Sequence, residues 1–420
     1  INNILLNNMD NKLKSQLSFI DSLSNIENEK PKQYVLRDYQ KEAVKKGVDH
    51  LLSGKKPGVI VSVTGSGKSL IIANIAKQLP GHVLVFAPSK ELLEQNYNKL
   101  LSYNQGLDTS IFSASFNSKK ISKITFCTIG SVWKKAELFA HFNYIIIDEC
   151  DFMINPYNEV GIWKVFLRNI GSKPMIGLTA SPFRLYSNSF GSILRLITRT
   201  NPKIFHDIIY HNQIEDLTNQ GYISDCKYYE VGEFDTSMLR INSNGSDYTD
   251  DSVKKYYKDV KFDNTLLDVV KRLVNVNRKN ILVFTKFVEE AKVLALELGD
   301  ISAVVYSGMK AKDRDDVIKR FKNGNIKVAI NVGVLSTGFD FPELETVVIG
   351  RPMRSLRLYY QMIGRGIRPH YDKKDVWIVD LCGSYKVFGE IKNLWLNKDI
   401  KGNWQYINKK TKQPLTNVYF

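Results

Sequence analysis

Two α/β units in tandem, each a parallel sheet covered by helices, are implied by three features of this sequence. Short apolar runs of strand length alternate with amphipathic stretches, and this happens twice along the chain. The runs are apolar at successive positions, as strands buried on both faces must be. The composition, 43% hydrophobic and 24% charged over 420 residues, is that of a globular chain of two or three domains. No run approaches the roughly 18 apolar residues of a membrane span.

The elements follow in chain order. Leu5, Leu6, Met9, Leu13, Leu17, Ile20 and Leu23 recur at spacings of three and four, so residues 1–30 read as a short helical appendage that Pro31 ends. The first unit, over 31–225, has strands expected at 58–63, 82–87, 123–128, 144–148 and 175–179. Amphipathic helices are expected at 68–79 and 90–103. Residues 226–263 read as a connecting insert, since 242–251 is polar, holds Gly and Ser, and runs through Asp247-Tyr248-Thr249-Asp250. The second unit, 264–385, has helices expected at 264–276, 287–298 and 313–323. Its strands are expected at 280–285, 303–306, 327–332, 346–350 and 376–380. Residues 386–420 form a basic tail, seven Lys against Glu390 and Asp399, with Trp395, Trp404 and Tyr406.

Composition also bounds the function. Lys+Arg 59 against Asp+Glu 43 gives a net charge of +16, which favours a polyanionic partner and salt-sensitive phosphate contacts. Cys127, Cys150, Cys226 and Cys382 are scattered with no Cys-x-x-Cys pair, which fits a reducing compartment and argues against a disulfide framework or a zinc site. Residues 1–10 lack the basic n-region of a secretory signal. A cytoplasmic protein is expected.

The chemistry begins at Val63-Thr64-Gly65-Ser66-Gly67-Lys68-Ser69, between an apolar strand and a helix. Glycines there let backbone N–H groups converge on phosphate oxygens, and a helix N-terminus adds partial positive charge. Lys68 would reach the β- and γ-phosphates, and the Ser69 hydroxyl would ligate Mg²⁺. Ser62 stands where the strict pattern has its first glycine. Tyr144-Ile145-Ile146-Ile147-Asp148-Glu149 is an apolar strand ending in two carboxylates. Asp148 would hold the Mg²⁺ shell, and Glu149 would orient or deprotonate the attacking water. Together these residues predict hydrolysis of a nucleoside triphosphate.

With both halves of that site in view, the sequence resembles the superfamily 2 helicases of the DExH/D type, motif by motif across 36–369. Leu36-Arg37-Asp38-Tyr39-Gln40 looks like the adenine-recognition motif, Thr64 to Ser69 like motif I, and Ala87-Pro88-Ser89-Lys90-Glu91-Leu92 like motif Ia. Thr128-Ile129-Gly130-Ser131 is similar to motif Ib, Asp148-Glu149-Cys150-Asp151 to motif II, and Thr179-Ala180-Ser181-Pro182 to motif III. Val283-Phe284-Thr285-Lys286 occupies motif IV and Ser336-Thr337-Gly338-Phe339-Asp340 fits motif V. Gln361-Met362-Ile363-Gly364-Arg365-Gly366-Ile367-Arg368 fits motif VI.

The resemblance implies two tandem RecA-like domains with an ATP cleft between them, closing on hydrolysis. It implies that Gln40 pairs with adenine and that Arg37 stacks on the base. It gives ATP contacts to Thr64, Gly65, Ser66, Gly67, Lys68, Ser69, Gly338 and Asp340. Gln361, Arg365 and Arg368 join Lys68, Asp148 and Glu149 in catalysis, the two arginines as fingers toward the transferred phosphate. The nucleic-acid strand would run past Pro88, Ser89, Thr128 and Ser131, then Thr285, Thr337, Arg351 and Arg354. Motif VI opens on Gln361 rather than the His-Arg of RNA-remodelling DEAD-box enzymes. The string Arg351-Pro352-Met353-Arg354-Ser355-Leu356 resembles the DNA-acting XPB/UvsW-like group, and the compact length is most like phage branch-migration helicases. The resulting expectation is a monomeric, ATP- and Mg²⁺-dependent DNA helicase that remodels forks and junctions. An RNA helicase and a motor-inactive nucleic-acid scaffold are the alternatives.

Overall fold

The structure, a computed structural model, describes residues 35–103, 106–154, 161–188, 191–243, 245–335 and 341–418. The expected appendage at 1–30, and Thr337, Gly338 and Asp340, lie outside the described residues. Described residues within 35–62, 67–182 and 197–212 form one compact unit. Those within 63–66, 183–196 and 213–418 form a second.

The first unit opens with α1 (Asp38–Leu52), then β1 (Gly58–Val61), α2 (Lys68–Gln78), β2 (Val83–Phe86), α3 (Lys90–Tyr103), β3 (Thr109–Ser113), β4 (Ser118–Lys119) and β5 (Ile124–Cys127). It continues through α4 (Ile129–Val132), β6 (Tyr144–Asp148), α5 (Cys150–Met153), α6 (Ile162–Ile170) and β7 (Met175–Thr179). The hairpin β8 (Phe183–Asn188) and β9 (Gly191–Leu196) interrupts it before β10 (Asp207–His211). Its sheet runs β10-β1-β7-β6-β2-β5-β3-β4, parallel except for β4. Side chains alternate across β2: Val83 and Val85 join Ile71, Ile75, Leu93 and Leu100 in one core. Phe86 meets Trp163 and Phe166 on the other face, ring centroids 4.6 and 5.5 Å away. Helices therefore cover both faces, which is why the strands read as continuous apolar runs.

The second unit contains α7 (Ile214–Asn219), β11 (Cys226–Glu230), α8 (Asp250–Asp259), α9 (Phe262–Asn275), β12 (Ile281–Thr285), α10 (Val288–Leu298), β13 (Ser302–Tyr306) and α11 (Ala311–Lys322). Then come β14 (Val328–Val332), β15 (Thr346–Gly350), α12 (Leu356–Gly366), β16 (Val376–Asp380), α13 (Ser384–Phe388) and the hairpin β17 (Leu394–Lys398) and β18 (Trp404–Asn408). Its all-parallel sheet runs β11-β16-β15-β12-β14-β13. Leu266, Val270 and Leu273 of α9 and Ala291 and Leu294 of α10 pack on Ile281, Val283, Val328, Ile330 and Val348.

Three boundaries differ from expectation. Residues 226–263 are not a connecting insert, because β11 is the edge strand of the second sheet, paired with β16. As a half-exposed edge, β11 shows no apolar run. Residues 183–196 and 213–225 belong to the second unit rather than to a first domain ending at 225. The reason is the third difference: 386–418, expected as a tail apart from the second domain, is part of the second unit. Its hairpin packs on those segments, with Phe183 and Tyr406 ring centroids 5.3 Å apart. The Gln213 side chain exchanges two hydrogen bonds with the Leu396 backbone, and Asn417 accepts one from the Leu196 N–H.

Candidate active site

In the first sheet β1, β7 and β6 are neighbours, so parallel pairing places their carboxyl ends side by side. That is where open α/β sheets bind ligands. Three motifs separated in sequence leave from these ends: the loop after Val61, Thr179 and Asp148.

The loop requires its glycines. Gly65 and Gly67 have φ of 81° and 85°, in the left-handed region. A Cβ on Gly67 would also lie 2.6 Å from Gln40 Nε2, so this glycine serves both the turn and the approach of the Gln40 amide. Ser66 donates from its hydroxyl to the Val63 carbonyl at 2.5 Å, and the Ser62 N–H donates to the Thr179 carbonyl at 2.9 Å. Thr64 is buried. Lys68 and Ser69 are the first two residues of α2, where backbone N–H groups have no intrahelical partner. Gln40 is 3% exposed, and its Oε1 accepts from the Arg37 N–H at 3.0 Å, so the two adenine candidates are tied together at the start of α1.

At the end of β6, Asp148 is 2% exposed. Its Oδ2 accepts from Asn96 Nδ2 at 2.8 Å and its Oδ1 from the Glu149 N–H at 3.0 Å. Burial first, then the neighbouring Glu149 charge, push its pKa up to about 6, against the pull of Lys68 and Asn96. Glu149 has φ 47° and ψ 49°, a left-handed conformation costing a non-glycine residue about 1–2 kcal/mol. Its Oε1 is 3.3 Å from Lys68 Nζ. The lysine expected at the phosphates and the carboxylate expected at the water therefore meet directly. Asp151 is fully buried and accepts from Thr179 Oγ1 at 2.6 Å and Ser181 Oγ at 3.3 Å, joining motif II to motif III.

Mg²⁺ fits this donor set. Ser69 and Asp148 offer hard oxygen ligands, and a buried carboxylate with a raised pKa is one that a nearby cation stabilises. Among the described residues no three His, Cys, Asp or Glu cluster as a closed metal cage. A nucleotide-bound ion held by one or two protein oxygens needs none.

In the second unit Gln361 and Arg365 lie on α12, 6% and 7% exposed, and Arg368 follows the helix's C-cap Ile367. Ser355 caps the helix, accepting from the Leu358 N–H at 3.2 Å. Lys373 Nζ donates to the carbonyls of Gly366 at 2.6 Å, Pro342 at 2.7 Å and Arg368. Burial, with the Arg368 and Arg278 charges, lowers its pKa to about 8, so it is an ammonium at neutral pH.

The expected nucleic-acid contacts divide. Pro88 lines a cavity of about 220 Å³ with Ile129, Phe152 and Trp163. Ser89 accepts from the Leu92 N–H at 3.3 Å, a capping bond for α3. Ser131 accepts from the Ala114 N–H at 3.0 Å and bonds Thr128 Oγ1 at 3.0 Å. These four stay half-buried at loop and helix starts. Thr285 is a correction: it ends the central strand β12 and is fully buried, so it presents nothing to a strand on the surface. Arg351 and Arg354 are held by the polar loop of 245–250. Arg351 Nη2 lies 3.0 Å from Asp247 Oδ2, and Arg354 Nη1 donates to the Gly245 carbonyl at 2.5 Å. Lys286 Nζ, 7% exposed, lies 3.2 Å from both Asp247 and Asp250.

Comparison with known proteins agrees with this geometry. The family model for the type III restriction enzyme res subunit matches residues 33–184, and the helicase conserved C-terminal domain model matches 265–370. The chain belongs to the superfamily 2 DExH/D helicases.

Among its relatives, Saccharomyces cerevisiae IRC3, named a candidate ATP-dependent helicase, is 24% identical over 375 residues, 84% of this chain and 52% of IRC3. The Sulfurisphaera tokodaii DNA 3′-5′ translocase XPB2 is 24% identical over 388 residues, 81% of this chain and 79% of that protein. A Type ISP restriction-modification enzyme, LlaBIII, solved bound to DNA, shares the fold at TM-score 0.62 and 17% identity, over 84% of this chain and 28% of its own. The helicase chain thus spans about half the length of IRC3.

Some residues that the structure brings to these motifs carried little signal in the sequence. Asn96 lies on α3, 52 residues before the Asp148 it bonds, inside an ordinary amphipathic pattern. Lys373 was one lysine among many. Asp151 lay within the quoted motif II string, where Cys-Asp after Asp-Glu was its only signal.

Proposed function

We propose that this helicase is an ATP-driven DNA motor that unwinds or remodels branched DNA, forks and junctions, by branch migration. The observation that carries the ATP chemistry is the meeting of Lys68, Asp148 and Glu149 at the carboxyl edge of the strands β1, β7 and β6. Bound Mg²⁺, held through Ser69 and Asp148, would supply charge neutralisation on the phosphates. Lys68 pairs with Glu149 in this structure. An incoming γ-phosphate competes for the ammonium, which frees the Glu149 carboxylate to orient or deprotonate water. Asn96 holds Asp148 in place meanwhile. Gln361, Arg365 and Arg368 complete the catalytic set, with the arginines stabilising charge on the transferred phosphate. Arg37 and Gln40 select adenine, and Gly338 and Asp340 add nucleotide contacts. Pro88, Ser89, Thr128, Ser131, Thr337, Arg351 and Arg354 face the strand in the active cycle.

Support for DNA over RNA is the string of 351–366 and the relative named a DNA translocase. We take it to act as a monomer in the cytoplasm. Unwinding and ATP turnover are measured on forks, tailed duplexes and four-way junctions, each as DNA and as RNA, with Lys68→Ala and Glu149→Gln as controls. DNA junctions should stimulate turnover most. Lys68→Ala should lose turnover, and Glu149→Gln should keep ATP binding while losing turnover. Stimulation by RNA alone would replace the DNA reading, and wild-type turnover by Lys68→Ala would remove the ATP assignment.

A further inference from the structure

Lys373 follows α12 and precedes β16, outside every motif string, yet it is only 9% exposed. An ammonium has three N–H donors and no acceptor, and burying it is costly unless all three are used. Here three carbonyls take them: Gly366 at 2.6 Å, Pro342 at 2.7 Å and Arg368. Gly366 ends α12, whose last carbonyls lack intrahelical partners and carry the negative end of the helix dipole. Ser224 holds the same turn from another direction. Its N–H donates to the Ile367 carbonyl at 2.7 Å and its hydroxyl to the Arg368 carbonyl at 3.2 Å. All three carbonyls of 366–368, the backbone joining Arg365 to Arg368, are therefore held by donors from outside the helix. Surface capping of a helix would not need a buried ammonium, because water would satisfy those carbonyls.

We propose that Lys373 is a positioning residue for ATP hydrolysis, fixing the turn at 366–368 and so the directions in which Arg365 and Arg368 project. The inference rests on the catalytic reading of these two arginines. A long guanidinium side chain magnifies any rotation of its backbone, and a misplacement of about 1 Å can cost about a hundredfold in rate. Lys373 also ties the turn to Pro342, so the backbone exits of α12 and of the segment before β15 are fixed to one another.

The test uses the full chain, with steady-state ATP turnover and thermal midpoint measured on the same preparations. Lys373→Met should lower kcat by about tenfold to a hundredfold with little change in the KM for ATP, since a transition-state contact is lost rather than ground-state binding. In the Arg365→Ala/Arg368→Ala background, adding Lys373→Met should slow turnover no further, although the midpoint still falls. If Lys373→Met lowers the midpoint alone, or slows turnover equally with and without the arginines, Lys373 is structural and the proposal fails. Should Lys373→Met not fold, Ser224→Ala carries the same test: a smaller fall in kcat, absent without the arginines. Wild-type turnover by Arg365→Ala/Arg368→Ala would instead overturn the arginine assignment itself, a result distinct from a failure at Lys373.

Discussion

Asp247→Asn probes the loop that holds the second unit's cations. Its carboxylate, 26% exposed, lies 3.0 Å from Arg351 and 3.2 Å from the almost buried Lys286. Charge-assisted hydrogen bonds contribute about 1.5–3 kcal/mol each. Asp250 still faces Lys286 at 3.2 Å after the substitution, so about 2 kcal/mol of stability is the expected loss rather than the sum. With Lys286 still paired to Asp250, the same change releases one cation, Arg351, for nucleic-acid phosphate. Each phosphate neutralised adds about −0.9 to the log–log salt slope on duplex and about −0.7 on single strands. Full engagement therefore steepens the slope by about 0.9 and 0.7 respectively. Over a fourfold change in salt, the duplex difference amounts to roughly three- to fourfold in affinity. Fluorescence anisotropy of a labelled DNA fork and a labelled single strand, titrated from low to moderate salt, reads both values. Asp247→Asn/Arg351→Ala should return the whole of the added slope. A folded Asp247→Asn protein whose slope equals that of the wild type would refute the idea that this carboxylate stands where phosphate binds.

The remaining predictions concern stability and selectivity. Burial raises the Glu290 carboxyl from 4.5 to about 8, and its Oε1 has no hydrogen-bond partner among the described residues. The folded state thus binds more protons than the unfolded one between those values, and stability present below pH 4.5 is lost as pH rises toward 8. Glu290→Gln should match the wild type near pH 4.5 and exceed it by about 3 kcal/mol at pH 7, about 1.4 kcal/mol per unit, in denaturant titrations; parallel pH curves for the two proteins would contradict this. Gln40→Ala should reduce the preference for ATP over GTP in kcat/KM by about tenfold to a hundredfold, the value of a bidentate base contact. Tyr406→Ala, which empties the contact with Phe183, should cost about 3 kcal/mol in the second unit and leave the salt slope on forks unchanged. A flatter slope would instead make the basic hairpin a phosphate contact.

The strands and helices were legible because their signals are local. A strand buried on both faces must be apolar at every position, so β6, β7, β15 and β16 were bounded to the residue. A turn with two positive φ angles must carry glycine, so the loop at Gly65 and Gly67 announced itself. The half-exposed edge strand β11 and the hairpin β17–β18 gave no such run, and both were misplaced as connection and tail.

Motif spacing likewise pointed to the side chains proposed for the ATP chemistry, because the loop that leads to Lys68 leaves the end of β1 and Asp148 ends β6, and a parallel sheet brings those ends to one edge. Tertiary structure alone decided their partners. Asn96 reaches Asp148 because β2 lies beside β6, and Arg351 reaches Asp247 across 104 residues. Thr285 looks like a phosphate contact in sequence, but its strand is central and its side chain buried. Lys373 is one basic residue among 59, singled out only by three carbonyls that converge on it once the chain has folded. Periodicity and backbone conformation are properties of neighbours along the chain. Hydrogen-bond partners and the burial of polar groups are properties of neighbours in space, and these the order of strands in the sheet assigns.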